Sequence, residues 1–444
     1  MKHRLLTTGI FLCCVLVMQS LHAQEQKNLS LGEAVQLSIK NSKQLKNSSA
    51  KINEATAILQ QANDRKLPDV NLSASYLRLT NPTIKLKTGG GGSDTSGGGS
   101  GFGNVNSAMY GMLTASYNIY SGSRVKYGIE SAKYLQQAAQ FDSAHDRGEV
   151  IINTIGAYIN LYKAKAAVNL VNENLQQSRK RDTDFVNLEK NGIIARNDLL
   201  KAQLQTSNIE LSLLDAQNNW KLANVNMNLL LGLPESTELV LDSSSLQYTP
   251  DLKTVDEYEQ IALDNRKDMK ALSTRAKAAG TNIKSVKGEY YPSVGLSAGY
   301  VAANIPGLVT ITNAIDVGVG VKYSLSSLWK TKAKLAEAKA KEDELVTSES
   351  ILIDNVHLQI NQAYETYISS IKKIDVYAKA IEQANENYKI TRNKYDNTLA
   401  TTTDLLDADV AQLQARLNYA FAKADAIVAY NRLIQAAGVL TEPK

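Results

Sequence analysis

The strongest constraint on the fold is an internal duplication. Residues 29–76 align without a gap with residues 253–300, and residues 117–233 align without a gap with residues 323–439. The period is on the order of 200 residues, far longer than one solenoid unit, so each copy is predicted to be a complete structural repeat. The segment between the two aligned blocks is longer in the first copy, where it contains glycine runs.

The chain begins with a predicted export signal over residues 1–23. Lys2 and Arg4 precede a mostly apolar stretch, and Ala23 provides the small residue expected at a cleavage site. The alternative is an N-terminal membrane anchor, which the short and interrupted apolar run disfavours. The predicted organisation is therefore a signal peptide, a first repeat over residues 24–240 and a second repeat over residues 241–444.

Composition excludes several functional classes. The charge is nearly balanced, with 49 basic and 44 acidic residues, which disfavours a nucleic-acid partner. Both cysteines lie inside the signal, and His145 and His357 fall far apart on predicted helices. A zinc site, a cysteine nucleophile and a serine–histidine hydrolase site are all disfavoured. We therefore predict no enzymatic activity, no cofactor, no metal site and no catalytic residue.

Each repeat is predicted to run helix, strand, strand, very long helix, turn and return helix. The first helix is expected from Ser30 to about Lys66, with Ser30 as its cap and Glu33 at capping-box spacing. Two long proline-free stretches follow, predicting helices over about 123–190 and 330–396. Helices of this length need partners along their sides, as in a coiled-coil-like bundle.

Four segments alternate apolar residues with small or polar ones, which predicts strands with one apolar face. Their apolar members are Val70, Leu72, Ala74 and Tyr76; Leu113, Ala115, Tyr117 and Ile119; Val294, Leu296, Ala298 and Tyr300; and Ile315, Val317, Val319, Val321, Tyr323 and Leu325. This pattern is typical of transmembrane β-strands, and the alternative is a small soluble sandwich. Because four strands cannot close a barrel, membrane-crossing strands would have to be shared among several chains. The Gly/Ser-rich loop over residues 81–107 is expected to be disordered.

The duplicated unit resembles the TolC-like outer-membrane efflux proteins. The most specific match is the segment Tyr395–Asp407 followed by Ala408, which is similar to the family pattern Tyr-x-x-Gly-x-x-x-x-x-Asp-(Leu/Val)-Leu-Asp-Ala with Thr398 in place of Gly. The resemblance implies a mainly α fold with a small β part. Long antiparallel helical hairpins would form a trimeric tunnel, and four strands per chain would contribute to a shared twelve-stranded transmembrane β-barrel.

The resemblance also implies a function. It suggests the exit duct of a tripartite efflux or type I secretion system, in the outer membrane of a Gram-negative bacterium and extending into the periplasm. The implied partners are two further copies of the chain, a periplasmic adaptor, an inner-membrane pump and outer-membrane lipid. The alternative is a non-conducting periplasmic or surface coiled-coil protein. Flanking aromatic residues suit the membrane interfaces and favour the duct, namely Tyr110, Tyr120, Tyr290, Tyr291 and Trp329.

By the same resemblance, Asp198, Asp404 and Asp407 would line the periplasmic aperture. For Asp198 and Asp404 the alternative is capping of the return helices, since carboxylates are favourable at helix N-termini. Ala400 stands where some family members carry an Arg that ties the closed aperture, and Lys201 stands where the second repeat has Asp407. The turns are implied to dock the adaptor through Gly192, Ile193, Ile194, Ala195, Thr398, Leu399, Ala400 and Thr401; the alternative is a plain helical hairpin turn without a partner.

Overall fold

The computed structural model describes residues 26–80, 105–242, 252–306 and 309–442. The predicted signal peptide and residues 81–104 of the Gly/Ser-rich loop lie outside these ranges. Among the described helices, none is both long enough and apolar enough to cross a membrane.

The described chain is mainly helical, as predicted, and the two halves run through the same series of elements. The first half contains β1 (Gln26–Leu29), α1 (Leu31–Asn41), α2 (Lys43–Asp64), β2 (Asp69–Arg78), β3 (Ser107–Ser121), α3 (Arg124–Lys190) and α4 (Arg196–Leu231). The second half contains β4 (Glu238–Leu241), α5 (Val255–Asn265), α6 (Lys267–Lys287), β5 (Ser293–Ile305), β6 (Val309–Lys322), α7 (Ser327–Asp396) and α8 (Thr402–Ala436).

The contacts divide the chain into two compact units, to which both halves contribute. One unit comprises Met1–Ser49, Phe141–Met269 and Ser350–Lys444, and we call it the helical unit. The other comprises Ala50–Gln140 and Lys270–Glu349, and we call it the sheet unit because it contains β2, β3, β5 and β6.

Two of the apolar clusters in the helical unit are each built mainly from one repeat. The first surrounds the fully buried Tyr158, and its hydroxyl lies 3.0 Å from the backbone oxygens of both Leu29 and Asp242. Leu29 is the last residue of β1, and Asp242 follows the last residue of β4. The two strands form a short parallel pair that was not predicted from the sequence. The second cluster surrounds Tyr258, Val356 and Ile360.

The sheet unit contains an antiparallel sheet in the order β2-β3-β5-β6. One row across the four strands is Leu72, Leu113, Tyr300 and Ile315, and the next row is Asn71, Thr114, Gly299 and Asp316. Successive rows face opposite sides of a sheet, so one face is apolar and the other is polar or small, as the alternation predicts. Tyr110 was expected among the interfacial aromatics, but its row with Ser75 and Ala303 lies on the polar face.

The first predicted helix is broken in two. Ser42 takes an extended backbone conformation (φ −55°, ψ 120°), and its hydroxyl accepts a hydrogen bond from Leu45 N at 3.2 Å. The equivalent position in the second repeat, Arg266, makes the same break. Ser30 caps α1 as predicted, accepting from Glu33 N at 3.2 Å, but the Glu33 carboxylate pairs with Lys27 rather than completing a capping box.

Candidate functional site at the two hairpin tips

The first hairpin tip, between α3 and α4, closes with a left-handed glycine. Gly192 has φ 71°, and its N–H donates to Glu189 O at 2.9 Å. The next N–H, of Ile193, donates to Leu188 O at 2.9 Å. These two bonds make a Schellman motif, which satisfies carbonyls that the end of α3 would otherwise leave free.

The second tip, between α7 and α8, makes the same motif without glycine. Thr398 has φ 64°, its N–H donates to Tyr395 O at 2.9 Å, and Leu399 N donates to Lys394 O at 2.8 Å. Thr398 therefore takes in the second tip the conformation that Gly192 takes in the first. A β-branched residue is strained in this region, so the tip retains its geometry at a cost in stability.

The start of α8 is fixed by a complete capping box. Thr401 N donates to Asp404 Oδ2 at 2.9 Å, and Asp404 N donates to Thr401 Oγ1 at 3.2 Å. The hydrogen bonds from the Thr401 hydroxyl and backbone lower the pKa of Asp404 below its ordinary value of 3.8. Asp404 thus has the capping geometry that was one of its two predicted roles.

Asp198 does not cap its helix in this way. The N-cap of α4 is Ala195, which has no side-chain acceptor. The Asp198 carboxylate instead lies 3.7 Å from the ammonium of Lys201, and that ammonium also lies 3.4 Å from the Thr403 hydroxyl at the start of α8. Lys201 therefore places a positive charge between the two hairpin tips.

Asp404 and Asp407 line one groove on the second hairpin. The groove has a volume of about 390 Å³ and is also lined by Lys394, Leu399 and Ala400. Asp407 is exposed and stands one turn beyond the capping box, so the cap does not account for it. Among the described residues, no cluster of three or more His, Cys, Asp or Glu side chains is suited to holding a metal ion.

An apolar cluster holds the two tips together within one chain. Phe185 on α3 stacks on Tyr395 of α7, with ring centroids 5.5 Å apart, and Leu199 and Leu405 are buried beside them. Phe185 was not predicted from the sequence. A large aromatic side chain in the last two turns of a helix that ends at a predicted hairpin turn is the signal that could have found it.

A buried ion pair lies further along the same helices. Arg181 Nη1 donates to Asp409 Oδ2 at 2.9 Å, and the two side chains are only 3% and 1% exposed. Asn174 donates to the other Asp409 oxygen at 3.0 Å, and Arg181 Nη2 donates to the Ser178 hydroxyl at 2.9 Å. This network was not predicted from the sequence, although Asp409 is a carboxylate on the buried side of α8.

Comparison with known proteins relates this geometry to a family. The outer membrane efflux protein family matches residues 34–233 and 259–439. The outer membrane efflux protein BepC of Brucella suis is 20% identical over 335 residues, covering 73% of this chain and 70% of that protein. The alkaline protease secretion protein AprF of Pseudomonas aeruginosa is 22% identical over 326 residues, covering 72% and 67%.

Solved structures share the fold. The outer membrane protein VceC from Vibrio cholerae superimposes with a TM-score of 0.75 at 20% identity, covering 92% of this chain and 96% of that one. The CmeC outer membrane channel of Campylobacter jejuni gives 0.76 at 18% identity, covering 93% and 86%. The family match accounts for both repeats and confirms the predicted resemblance, outer-membrane location and export function. The chain belongs to the outer membrane efflux protein family.

Proposed function

We propose that three copies of this chain form one exit duct in the outer membrane, with a twelve-stranded barrel built from four strands of each copy. The observation that supports the proposal is the sheet, whose apolar face is uncovered and whose two edges are unpaired among the residues that the structure describes. On that face Leu72 is 80% exposed and Val317 is 78% exposed. An apolar face of this size marks a surface that another apolar phase covers, and lipid fits the family's location.

The edges require the additional copies. Within the described ranges, β2 and β6 each pair with another strand on one side only. Unpaired strand edges are not tolerated in hydrocarbon, because their N–H and C=O groups would have no hydrogen-bond partners. Pairing β6 of one copy with β2 of the next removes every edge once the ring closes, and three copies meet the strand number that a membrane barrel needs.

The return helix α4 also has a surface suited to a second copy. Leu204, Leu211, Leu222 and Leu229 are exposed and recur at intervals of seven or eleven residues. Apolar residues at this spacing form a continuous stripe along a helix that normally packs against another helix. We assign this stripe to the contact between neighbouring copies.

The tips are proposed to serve as the periplasmic aperture and docking site. Asp198, Asp404 and Asp407 would form its acidic lining, and residues 192–195 and 398–401 would contact a periplasmic adaptor coupled to an inner-membrane pump. The relatives include one protein named for efflux and one named for protease secretion, so both an efflux pump and a type I exporter are candidate partners.

Cation selectivity in planar bilayers tests the aperture. Asp407→Asn removes a charge that has no capping role, and we expect it to lower the ratio of cation to anion permeability and to weaken block by multivalent cations. Lys201→Gln is the matched control of opposite sign, and should raise that ratio. If both variants conduct with the parent's selectivity, the acidic aperture is wrong.

A detergent extraction tests the duct itself. The mature chain should fractionate with the outer membrane, require detergent and run as a trimer. A monomer that remains in the periplasmic extract would rule out the shared barrel and favour the coiled-coil alternative.

A further inference from the structure

A basic cavity of about 450 Å³ lies in the sheet unit where β6 leads into α7. Its charged lining consists of Arg124, Lys322, Lys330, Lys334 and Glu289. Four cations therefore face one carboxylate. Neither the aperture nor the docking tips account for this concentration of positive charge.

Glu289 and Lys334 neutralise each other. The Lys334 ammonium lies 2.9 and 3.0 Å from the two Glu289 oxygens, and this hydrogen bonding holds the pKa of the carboxyl below its usual value. Within the described ranges, the other three cations form no ion pair with a carboxylate. Arg124 is held in place by its Nε, which donates to Ser121 O at 2.9 Å, and its charge helps to lower the pKa of Glu289.

Lys322 and Lys330 are exposed, and neither forms an ion pair within the described ranges. Neutral donors lie beside them, since the Ser324 and Ser326 hydroxyls at the cavity wall are 3.0 Å apart, and only one of the two can donate to the other. Ammonium groups and hydroxyls converging from different elements suit a compact oxyanion with several acceptor oxygens, such as phosphate.

The cavity opens on the polar face of the sheet. Lys322 pairs with Ser293, whereas the neighbouring residues Val321 and Val294 form a row on the apolar face. The proposed duct turns the apolar face to lipid, so the cavity would open into the water-filled interior. An adjoining cavity shares Arg124 and Glu289 and adds Asp64 and Asp69, so carboxylates lie near Arg124 on that side. Lys322 and Lys330 line the basic cavity but not the adjoining one, and they are the cations available to an anion.

We propose that the basic cavity binds the phosphate group of a soluble molecule passing through the duct. This inference rests on the proposed function for its access to the interior, whereas the charge arrangement stands independently of it. Three copies would present three such cavities around the interior. Transient binding there would raise the local concentration of phosphorylated or other multiply charged anions.

Calorimetric titration with inorganic pyrophosphate tests the binding site. The protein is purified in an uncharged detergent and compared with the double variant Lys322→Gln, Lys330→Gln. Removing the two lysines that have no ion-pair partner within the described ranges should weaken binding by about tenfold, and added salt should weaken binding to the parent. The matched control is Lys332→Gln, Lys339→Gln, which removes the same charge from exposed positions of α7 outside the cavity. A Lys322→Arg, Lys330→Arg variant should retain binding.

The outcomes separate the site from the duct. The proposed binding site is wrong if the parent does not bind pyrophosphate, or if both Gln variants weaken binding equally.

In planar bilayers pyrophosphate should reduce the parent's current and affect the Lys322, Lys330 variant less. If the parent binds pyrophosphate but never conducts, the proposed duct is wrong. The proposal that the cavity opens into the interior of the duct is then wrong as well. If nanodiscs containing phosphatidylglycerol abolish binding and phosphatidylcholine nanodiscs do not, the site belongs to a lipid headgroup and the soluble-ligand assignment is wrong.

Discussion

At the scale of single residues, the two hairpin tips differ in how easily they adopt one backbone conformation. Gly192 and Thr398 have nearly the same positive φ and the same pair of Schellman hydrogen bonds. Glycine adopts this conformation without steric conflict, whereas the Cβ of threonine clashes with the adjacent backbone. Threonine in place of glycine at position 398 therefore leaves the turn type unchanged.

Thr398→Gly is therefore expected to stabilise the protein. Removing the left-handed strain should raise the free energy of unfolding by about 1 kcal/mol, partly offset by the greater freedom of glycine in the unfolded chain. Urea unfolding of the purified protein, followed by circular dichroism, measures the change. Thr398→Ala retains a Cβ and should gain less; an equal gain from both variants would contradict the conformational explanation.

Asp404 predicts a pH effect with a definite sign. Its pKa in the folded chain lies below the ordinary value of 3.8, so the capping box stabilises the protein above that pH. The contribution should be lost as the pH falls through the lowered pKa, when the carboxyl accepts a proton. Melting temperature measured between pH 7 and pH 3 should therefore fall more steeply for the parent than for Asp404→Asn. Parallel curves would show that the box contributes nothing to stability.

At the scale of elements, α3 and α8 are joined by a buried charge pair. Desolvation makes a buried pair a poor source of net stability, but removing one partner leaves the other charged and unpaired. The Arg181–Asp409 pair consequently restricts how α3 and α8 can slide or rotate against each other. This restriction belongs to one chain and does not depend on the trimer.

Arg181→Met should therefore destabilise the protein by about 3–5 kcal/mol, whereas Arg181→Met combined with Asp409→Leu should recover most of that loss. Arg179→Met is the control, because Arg179 is two residues away on α3 and pairs with Glu210 on the exposed surface. An exposed pair contributes only about 0–1 kcal/mol. Similar losses from Arg179→Met and Arg181→Met in urea unfolding would refute the distinction.

The elements that the sequence predicted are those with long periodic patterns. Four alternating strands, two long helices and two return helices follow from hydrophobic spacing and the absence of proline. The break at Ser42 was missed because serine is compatible with a helix interior, and the short β1–β4 pair because four residues carry too little alternation. The Arg181–Asp409 contact joins residues more than two hundred positions apart, and no local pattern in one sequence encodes such a pairing.

At the scale of the whole molecule, the sheet face decides whether the chain enters a membrane. Leu296 lies on the apolar face and its neighbour Ser297 on the polar face of the same strand. Leu296→Lys should reduce the amount of trimer in the outer membrane, since a lysine on a lipid-facing strand costs about 2–4 kcal/mol near the membrane centre. Ser297→Lys should assemble normally. Equal assembly of both variants, measured by fractionation and unheated gel electrophoresis, would contradict the lipid assignment.

The two unpaired strand edges also have a genetic consequence. If each copy pairs with both of its neighbours through its strand edges, one chain with a blocked edge prevents the ring that it enters from closing. In a cell producing normal and edge-blocked chains in equal amounts with random mixing, only about one ring in eight would contain three normal chains. A defect in β2 or β6 that still permits partial assembly should therefore be dominant, whereas a defect that prevents entry into the ring should be recessive.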